Sequence, residues 1–215
     1  MRDQAKMDYW AYEKQARLDG YTRIVGLDEA GRGPLAGPVV AGAVLLAPGF
    51  DGDGIRDSKA LSARTREKLF DRIMSEAEAV GVGVIGPEVI DRINILRATH
   101  LSMKAALDNL GVDFDFILVD GRPVDGLGVR SLPIVGGDSK SVSISAASII
   151  AKVTRDNIMA DLDKQYPEYG FASHKGYCTS RHLSALDRHG PCPCHRRSFA
   201  PVSERVINCR LPGLG

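Results

Sequence analysis

The sequence predicts an α/β domain in which helices pack on the faces of a mixed β-sheet. Five short apolar runs are bounded by turn residues and have the length of buried strands. The connections between the first three runs permit antiparallel pairing. The fourth run follows helical segments, so it can lie parallel to a neighbour through a crossover. The five predicted strands cover residues 23–27, 39–46, 80–86, 115–119 and 129–134.

Helices are expected before, between and after these strands. The expected packing side of the amino-terminal helix consists of Met7, Trp10, Ala11 and Leu18. Ser62 precedes the second helix and can cap it, and Ser143 begins the helix with the clearest apolar periodicity. The predicted helices cover residues 4–19, 63–79, 87–93, 95–110, 143–165 and 179–188, with another near residue 201.

The composition is that of an ordinary globular protein. Of the 215 residues, 44% are hydrophobic and 26% are charged, which allows one domain with a sizeable core. No apolar run is long enough to span a bilayer, and residues 1–20 are too polar for a signal peptide. We therefore expect a cytoplasmic protein that has no membrane partner.

Positive charge is concentrated in the last part of the chain. Residues 170–215 contain seven Lys/Arg against two Asp/Glu, together with four of the five histidines. Such a patch either is a solvated surface or attracts phosphates, and charge alone favours the solvated surface.

Four acidic residues follow or precede predicted elements: Asp28, Glu29, Asp120 and Asp138. Each taken singly is typical of a turn, a helix cap or a surface. If the first and fourth strands are parallel neighbours, however, Asp28 and Asp120 meet outside their carboxyl ends. For Glu29 to join them, we expect the chain to leave regular strand geometry, because successive strand side chains point to opposite faces.

Carboxylates that share a site remain ionised only when cations neutralise them. Oxygen ligands favour Mg²⁺ or Mn²⁺ over zinc. Two such ions about 4 Å apart activate a water and stabilise the leaving oxygen of a phosphodiester. The glycine bracket Gly31-Arg32-Gly33 follows the acidic pair directly, which suggests a place where backbone approaches a polyanion.

Sequence blocks spread over nearly the whole chain carry a family resemblance. The blocks are GLDEAGRGPLAGPVVAGAV, DSKALS, ILVDG, GDSKSVSISAASIIAKVTRD, HKGY and HRRSFAPV. In this order they closely resemble bacterial ribonuclease HII, a type 2 ribonuclease H. The resemblance implies a ribonuclease H-like mixed five-stranded sheet flanked by helices, with a C-terminal helical extension from about residue 170. Residues 21–202 would form this catalytic domain, between a helical segment at 1–20 and a tail at 203–215.

The resemblance also implies an activity. The family hydrolyses the RNA strand of RNA–DNA hybrids and cuts on the 5′ side of single ribonucleotides embedded in duplex DNA. It uses Mn²⁺ or Mg²⁺ and leaves a 3′-hydroxyl and a 5′-phosphate. The substrates implied for this chain are therefore RNA–DNA hybrid and ribonucleotide-containing duplex DNA, and we expect a monomer without an obligate protein partner.

The resemblance assigns roles to individual residues. The family's catalytic, metal-binding acidic positions match Asp28, Glu29, Asp120 and Asp138. The motif that senses a 2′-hydroxyl, chiefly through backbone groups, matches Gly31, Arg32 and Gly33. Tyr177 matches the tyrosine that stacks on the sugar of the following nucleotide, and Lys59 matches a lysine near the substrate phosphates. A 2′-hydroxyl is what distinguishes RNA from DNA at a site, and glycines let the backbone approach it.

Two segments depart from the family's pattern. Cys178 stands where the family usually has glycine; a positive φ there would strain a cysteine, so we expect Cys178→Gly to keep or raise activity. The segment CPCH at residues 192–195 looks like part of a zinc site but lacks a second spaced pair. Its thiols are therefore expected to be incidental and reduced.

Other functions remain possible from the sequence. A transposase-like phosphotransferase has the same kind of fold and is one alternative. The sister family ribonuclease HIII is another, but it normally adds an N-terminal substrate-binding domain. The 20 or so residues before the first strand are too few for that domain. A binding module without catalysis is disfavoured by the complete acidic set. A protein that acts only by binding other proteins is disfavoured, because residues 206–215 contain no aromatic-bearing peptide of the kind that binds the replication clamp.

Overall fold

A five-stranded mixed sheet forms the centre of the protein. The computed structural model describes residues 8–55 and 61–209. The strands are β1 (Ile24–Ala30), β2 (Val39–Leu45), β3 (Ala79–Ile85), β4 (Phe116–Asp120) and β5 (Arg130–Ile134). Their order in the sheet is β3-β2-β1-β4-β5. Because β1 pairs antiparallel with β2 and parallel with β4, the predicted mixed sheet is confirmed.

The helices follow the predicted order along the chain. They are α1 (Ala11–Leu18), α2 (Ala63–Glu76), α3 (Pro87–Ile93), α4 (Ile95–Asp108), α5 (Val142–Gln165), α6 (Phe171–His174), α7 (Ser180–His189) and α8 (Val202–Cys209). The Ser62 side chain caps α2 as predicted, accepting a hydrogen bond from the Thr65 N–H. The short α6 has no signal of its own in the sequence. Within the described ranges, no helix has both the length and the apolar character needed to cross a membrane.

The two faces of the sheet bury different helices. Val25 and Leu27 point to the face covered by α4, whereas Val44 packs on the face covered by α2 and α5. On the α5 face the strand and helix backbones come unusually close, because β1 has glycine at position 26. A Cβ placed there would lie 2.1 Å from the carbonyl carbon of Ser143. This close approach sets the distance between β1 and the residues of α5 that face it.

The amino-terminal helix packs only in part through the predicted side, because Trp10 contacts the apolar core on the α5 face while Ala11 is exposed. Leu18 is 82% exposed, whereas Glu13 and Ala16 are buried. The Glu13 carboxylate accepts hydrogen bonds from the Ser141 hydroxyl at 2.5 Å and from the Ser143 N–H at 2.9 Å. The apolar pattern did not predict this side, because the contact is a buried carboxylate that is hydrogen-bonded through one oxygen, Oε1, at the start of α5. Met7 lies outside the described residues.

The C-terminal module (residues 169–202) packs as a separate apolar cluster beyond the end of the sheet. Tyr169, Phe171 and Leu186 pack there against Leu35. Its backbone is also joined to the glycine loop (residues 31–38), because the Leu35 N–H donates to the Gly176 carbonyl and the Gly37 N–H donates to the Cys194 carbonyl, both at 2.8 Å. The predicted C-terminal helical extension is thus present and supports this loop.

Candidate active site

A cleft opens at the carboxyl ends of β1 and β4. The parallel pairing of the two strands ends at Leu27 and Val119, so the next residues of both strands reach the same edge of the sheet. The residues that line the cleft are Asp28, Glu29, Ala30, Gly31, Arg66, Asp120, Ser148, Lys152, Arg155 and Tyr177. Asp28 and Asp120 therefore line one cleft, as parallel neighbours at a carboxyl edge should.

Asp28 and Glu29 reach the cleft without a break in the strand. The expectation that the chain leaves strand geometry here was wrong, because β1 stays paired with β2 through Ala30. Pairing with β4 ends earlier and leaves this edge of β1 open. Asp28 lies toward α5, where the Ser148 hydroxyl hydrogen-bonds its carboxylate. Glu29 also lines the neighbouring groove beside α4.

The surroundings of Asp28 and Glu29 disfavour the ionised form of both carboxyl groups. Burial raises the pKa of the Asp28 carboxyl well above its usual range, and repulsion from Glu29 and Asp120 raises it further. Burial also raises the pKa of Glu29, although Arg32 partly offsets this through an ion pair at 3.1 Å. Hard divalent cations bind such oxygen-only donor sets, so these residues fit Mg²⁺ or Mn²⁺.

Asp138 is buried beside the cleft rather than among the residues that line it. It lies in a single 3₁₀ turn, Gly137–Ser139, immediately before α5. The preceding Gly137 N–H donates a hydrogen bond of 2.6 Å to Oδ1 of Asp120. The turn that carries Asp138 thus fixes the orientation of the Asp120 carboxylate. The structure brings three of the four predicted acidic residues into the cleft and places the fourth next to it.

The buried side chain of Arg196 hydrogen-bonds to the glycine loop from the interior of the protein. Arg196 is fully buried, and its guanidinium donates to the carbonyls of Gly31, Arg32 and Gly37 at 2.6, 3.0 and 3.0 Å. Five N–H donors in a fixed plane suit this arrangement of three acceptors. The charge is thus solvated by backbone oxygens, and the loop carbonyls are turned toward the protein interior.

A second buried arginine completes the support. Arg155 of α5 donates to the carbonyls of Pro38 and Ala36 in the glycine loop at 3.0 and 3.2 Å, and to Lys175 at 3.1 Å. Gly31 has φ +95°, and a Cβ there would lie 2.1 Å from Nε of Arg155. Only glycine therefore fits above this guanidinium. Neither arginine was predicted from the sequence; the signal for Arg155 was its place seven residues after Ser148, on the same side of α5.

Arg196→Lys should lower the free energy of unfolding by about 2 kcal/mol, because one ammonium cannot reach three carbonyls and leaves some of them unsatisfied. Urea unfolding monitored by circular dichroism measures this loss. The matched control is Arg197→Lys, since the side chain of Arg197 is exposed and only its backbone N–H is bonded, to Asp91. Equal stability of the two variants would contradict the role assigned to Arg196.

Tyr177 faces the glycine loop across the mouth of the cleft. Its side chain is 47% exposed, and a Cβ placed on Gly33 would lie 3.9 Å from its ring. The exposed ring thus borders the acidic cleft, whereas the exposed Arg32 lines the neighbouring groove that it shares with Glu29 and Asp120. Lys59 lies outside the described residues.

Cys178 shows no backbone strain. Among the described residues other than glycine, positive φ occurs at Asn94 and Lys175 and not at Cys178. The premise that a cysteine would be strained here was therefore wrong. Cys178→Gly relieves nothing, so the structure gives no reason for a gain in activity.

The fold and the cleft together define a class of protein. A mixed five-stranded sheet with carboxylates at the ends of adjacent parallel strands is the arrangement of a ribonuclease H-like enzyme. The family model described as Ribonuclease HII matches residues 25–202. The chain belongs to the ribonuclease HII family.

Individual relatives agree with this assignment. The chain is 53% identical to the Ribonuclease HII of Desulfitobacterium hafniense over 194 residues, which cover 90% of this chain and 75% of that protein. Its structure is similar to the ribonuclease H2 of Pyrococcus horikoshii OT3, with a TM-score of 0.74 and 28% identity over 89% of this chain and all of that one. Bst-RNase HIII in complex with Mn²⁺ shares the fold alone, with a TM-score of 0.69 at 18% identity over 97% of this chain and 77% of that one. The protein is thus a ribonuclease H, a metal-dependent endonuclease that acts on RNA–DNA hybrids.

Proposed function

We propose that this enzyme also incises duplex DNA on the 5′ side of a single embedded ribonucleotide, by two-metal-ion hydrolysis that leaves a 3′-hydroxyl and a 5′-phosphate. The observation that carries the proposal is the glycine loop, which two buried arginines hold beside the acidic cleft and opposite Tyr177. A backbone surface held next to the reacting phosphate can test a single sugar for its 2′-hydroxyl, so one ribonucleotide is enough to be recognised. In the cytoplasm, this cutting would begin the excision of ribonucleotides left in DNA by replication.

The acidic residues are proposed to hold the metal ions. Asp28, Glu29, Asp120 and Asp138 would bind Mg²⁺ or Mn²⁺, and the repulsion between the buried carboxylates supports this. Cations held by these residues would supply an activated water and charge neutralisation at the scissile phosphodiester. The chain's own part is to orient these oxygens, through the Ser148 hydroxyl on Asp28 and the Gly137 N–H on Asp120.

The glycine loop and Tyr177 are proposed to select the ribonucleotide. Backbone groups of Gly31 and Gly33 would hydrogen-bond the 2′-hydroxyl, and Arg32 would release Glu29 and bind a phosphate. The Tyr177 ring would stack on the sugar of the next nucleotide, where a further 2′-hydroxyl clashes, so the enzyme prefers an RNA-to-DNA junction. Lys59, Arg66 and Lys152 would neutralise neighbouring phosphates, the last two from the wall of the cleft.

The test is cleavage of duplex DNA with one internal ribonucleotide, beside an all-DNA duplex of the same sequence. Each duplex is incubated with Mg²⁺, with Mn²⁺ and with a chelator, and the ends are mapped at single-nucleotide resolution. We expect metal-dependent cutting 5′ to the ribonucleotide only. Cleavage of a long hybrid without any incision at the single ribonucleotide would refute the proposed function, while leaving the hybrid activity in place.

Arg32→Ala should weaken binding of the ribonucleotide-containing duplex and lower the salt slope of the binding constant by about one, since one phosphate contact is lost. Fluorescence anisotropy between low and moderate salt, in Ca²⁺ to suppress cutting, gives this slope. The control is Arg17→Ala, because Arg17 lies beside Thr22 and Ile24 at the opposite end of β1. An unchanged slope in Arg32→Ala would show that Arg32 does not bind phosphate.

Tyr177→Ala should reduce cleavage at the single ribonucleotide by roughly tenfold relative to cleavage of a long hybrid, or about 1.4 kcal/mol, because the ring that would stack on the next sugar is removed. The ratio of kcat/KM on the two substrates is the measurement. Tyr177→Phe keeps the ring and should keep the ratio. Equal losses on both substrates would assign Tyr177 to general binding instead.

A further inference from the structure

Two cysteines and a histidine meet in the interior of the C-terminal module. Cys192, Cys194 and His195 are all buried, the histidine at 1% exposure. Sγ of Cys192 lies 3.0 Å from Sγ of Cys194 and 3.1 Å from Nδ1 of His195. The three potential ligand atoms lie within 4.8 Å of one another. The sequence showed these three residues as part of a possible zinc site, and the thiols were expected to be incidental because no second spaced pair completes four ligands.

Hydrogen bonds fix the histidine ring so that a lone pair faces the sulfurs. Nδ1 of His195 accepts from the Cys192 N–H at 3.0 Å, so in the neutral ring the proton is on Nε2. That Nε2–H donates to Nε2 of His182 at 2.9 Å, and Nδ1 of His182 donates to the Tyr177 carbonyl at 2.9 Å. A partner on the far ring nitrogen is the usual support of a metal-binding histidine.

We propose that Cys192, Cys194 and His195 form a binding site for a thiophilic metal ion, with Zn²⁺ as the probe. Two thiolates and an imidazole favour Zn²⁺ over Mg²⁺ or Mn²⁺, whereas the acidic cleft has the opposite preference. Binding requires the sulfurs to move apart to about 3.8 Å, the separation that tetrahedral Zn–S bonds impose. The metal ion also replaces the Cys192 N–H as the partner of Nδ1 of His195. An exogenous ligand completes the fourth coordination position.

The proposed metal site is joined directly to the glycine loop. The Cys194 carbonyl accepts the Gly37 N–H, and His195 forms a β-bridge with Ala36. The next residue is Arg196, whose guanidinium holds the loop carbonyls. A metal ion at this site would therefore stiffen the support of the glycine loop from a point outside the acidic cleft.

Cobalt titration of the reduced, full-length protein tests the site, because thiolate ligands give Co²⁺ a sulfur-to-metal charge-transfer absorption that carboxylates do not. We expect one Co²⁺ per chain with this absorption, and its loss when Zn²⁺ is added. Cys192→Ser and Cys194→Ser should remove the absorption. Cys178→Ser changes an exposed thiol and Asp120→Asn changes the acidic cleft, so both should keep it.

A second measurement needs no variant. Zn²⁺ should protect two thiols of the wild-type protein from alkylation, with Cys192 and Cys194 identified by mass spectrometry, and should raise its melting temperature. Absence of the charge-transfer absorption, or its survival in both serine variants, would overturn the proposal. So would a Cys192–Cys194 disulfide that forms in air while the reduced protein takes up no Co²⁺. Neither result depends on nuclease activity, so failure here leaves the proposed function standing.

Discussion

Asp28→Asn will abolish cleavage and, in the absence of metal, make the protein more stable. Loss of one ligand from the metal site removes several kcal/mol of transition-state stabilisation, which corresponds to about 10³-fold or more in kcat. Asparagine preserves the shape and can keep a hydrogen bond to Ser148. Single-turnover cleavage of an RNA–DNA hybrid with saturating Mn²⁺ measures the loss. Cleavage within tenfold of wild type would remove Asp28 from the metal site.

The stability effect follows from the sign of the pKa shift. The pKa of Asp28 is raised in the folded protein, so ionisation of this residue opposes folding. At a pH below the ordinary aspartate value both states are protonated and the penalty is absent. The penalty grows as the pH rises from that value through the raised folded pKa.

In chelator, therefore, the melting temperature of Asp28→Asn should exceed that of wild type by a margin that widens as the pH rises above the ordinary aspartate pKa. Excess Mn²⁺ should reverse the order, because only the wild-type site binds the ion fully. Asp108→Asn, at an exposed position of α4, is the control and should show no such margin. A margin that stays constant with pH would mean that ionisation of Asp28 does not oppose folding.

Gly26→Ala should destabilise the protein by about 3 kcal/mol or more, the upper range for a methyl group forced into a packed core. Its Cβ would lie 2.1 Å from the Ser143 carbonyl carbon and oxygen, and those atoms belong to helix backbone that has no rotamer to change. Relief requires α5 to move away from β1. This movement carries Ser148 away from Asp28, so cleavage should fall together with stability.

The matched control is Gly86→Ala. Gly86 has φ −74°, and a Cβ there meets nothing within 4 Å, so this change should cost about 1 kcal/mol or less, the loss of a favourable N-cap residue of α3. Urea unfolding of both variants with the same m-value makes the comparison direct. Similar free energies of unfolding for the two variants would show that α5 and β1 are not in the tight contact described above.

Local patterns in the sequence were enough to place the strands and most helices, since each buried run has a clear period and clear stop residues. They also placed Asp28 and Asp120 together, because parallel neighbours end at one edge of a sheet. The supports of the glycine loop could not be found this way. A buried arginine satisfied by carbonyls leaves no acidic partner in the sequence, so Arg155 and Arg196 resembled surface charges.

The support of the cysteine–histidine cluster escaped prediction for a related reason. Cys192, Cys194 and His195 are close in sequence and were recognised as part of a possible metal site, but the hydrogen bond that orients His195 is accepted by His182, thirteen residues earlier on α7. Similarly, Glu13 was not expected at an interface because its partners lie about 130 residues away, at Ser141 and Ser143. Apolar periodicity detects cores, and it does not detect polar groups that are buried because a distant segment satisfies them.

The position of Arg196 has a consequence for the growing chain on the ribosome. The carbonyl of Gly31 is held by a residue 165 positions downstream, whereas all four acidic residues, from Asp28 to Asp138, precede that residue in the chain. During synthesis the acidic residues are therefore made before the residue that holds the glycine loop. A nascent chain that stalls between these two points would possess the hydrolytic residues without the supported loop. Only after Arg196 has been made can the proposed selection of the sugar be coupled to cutting.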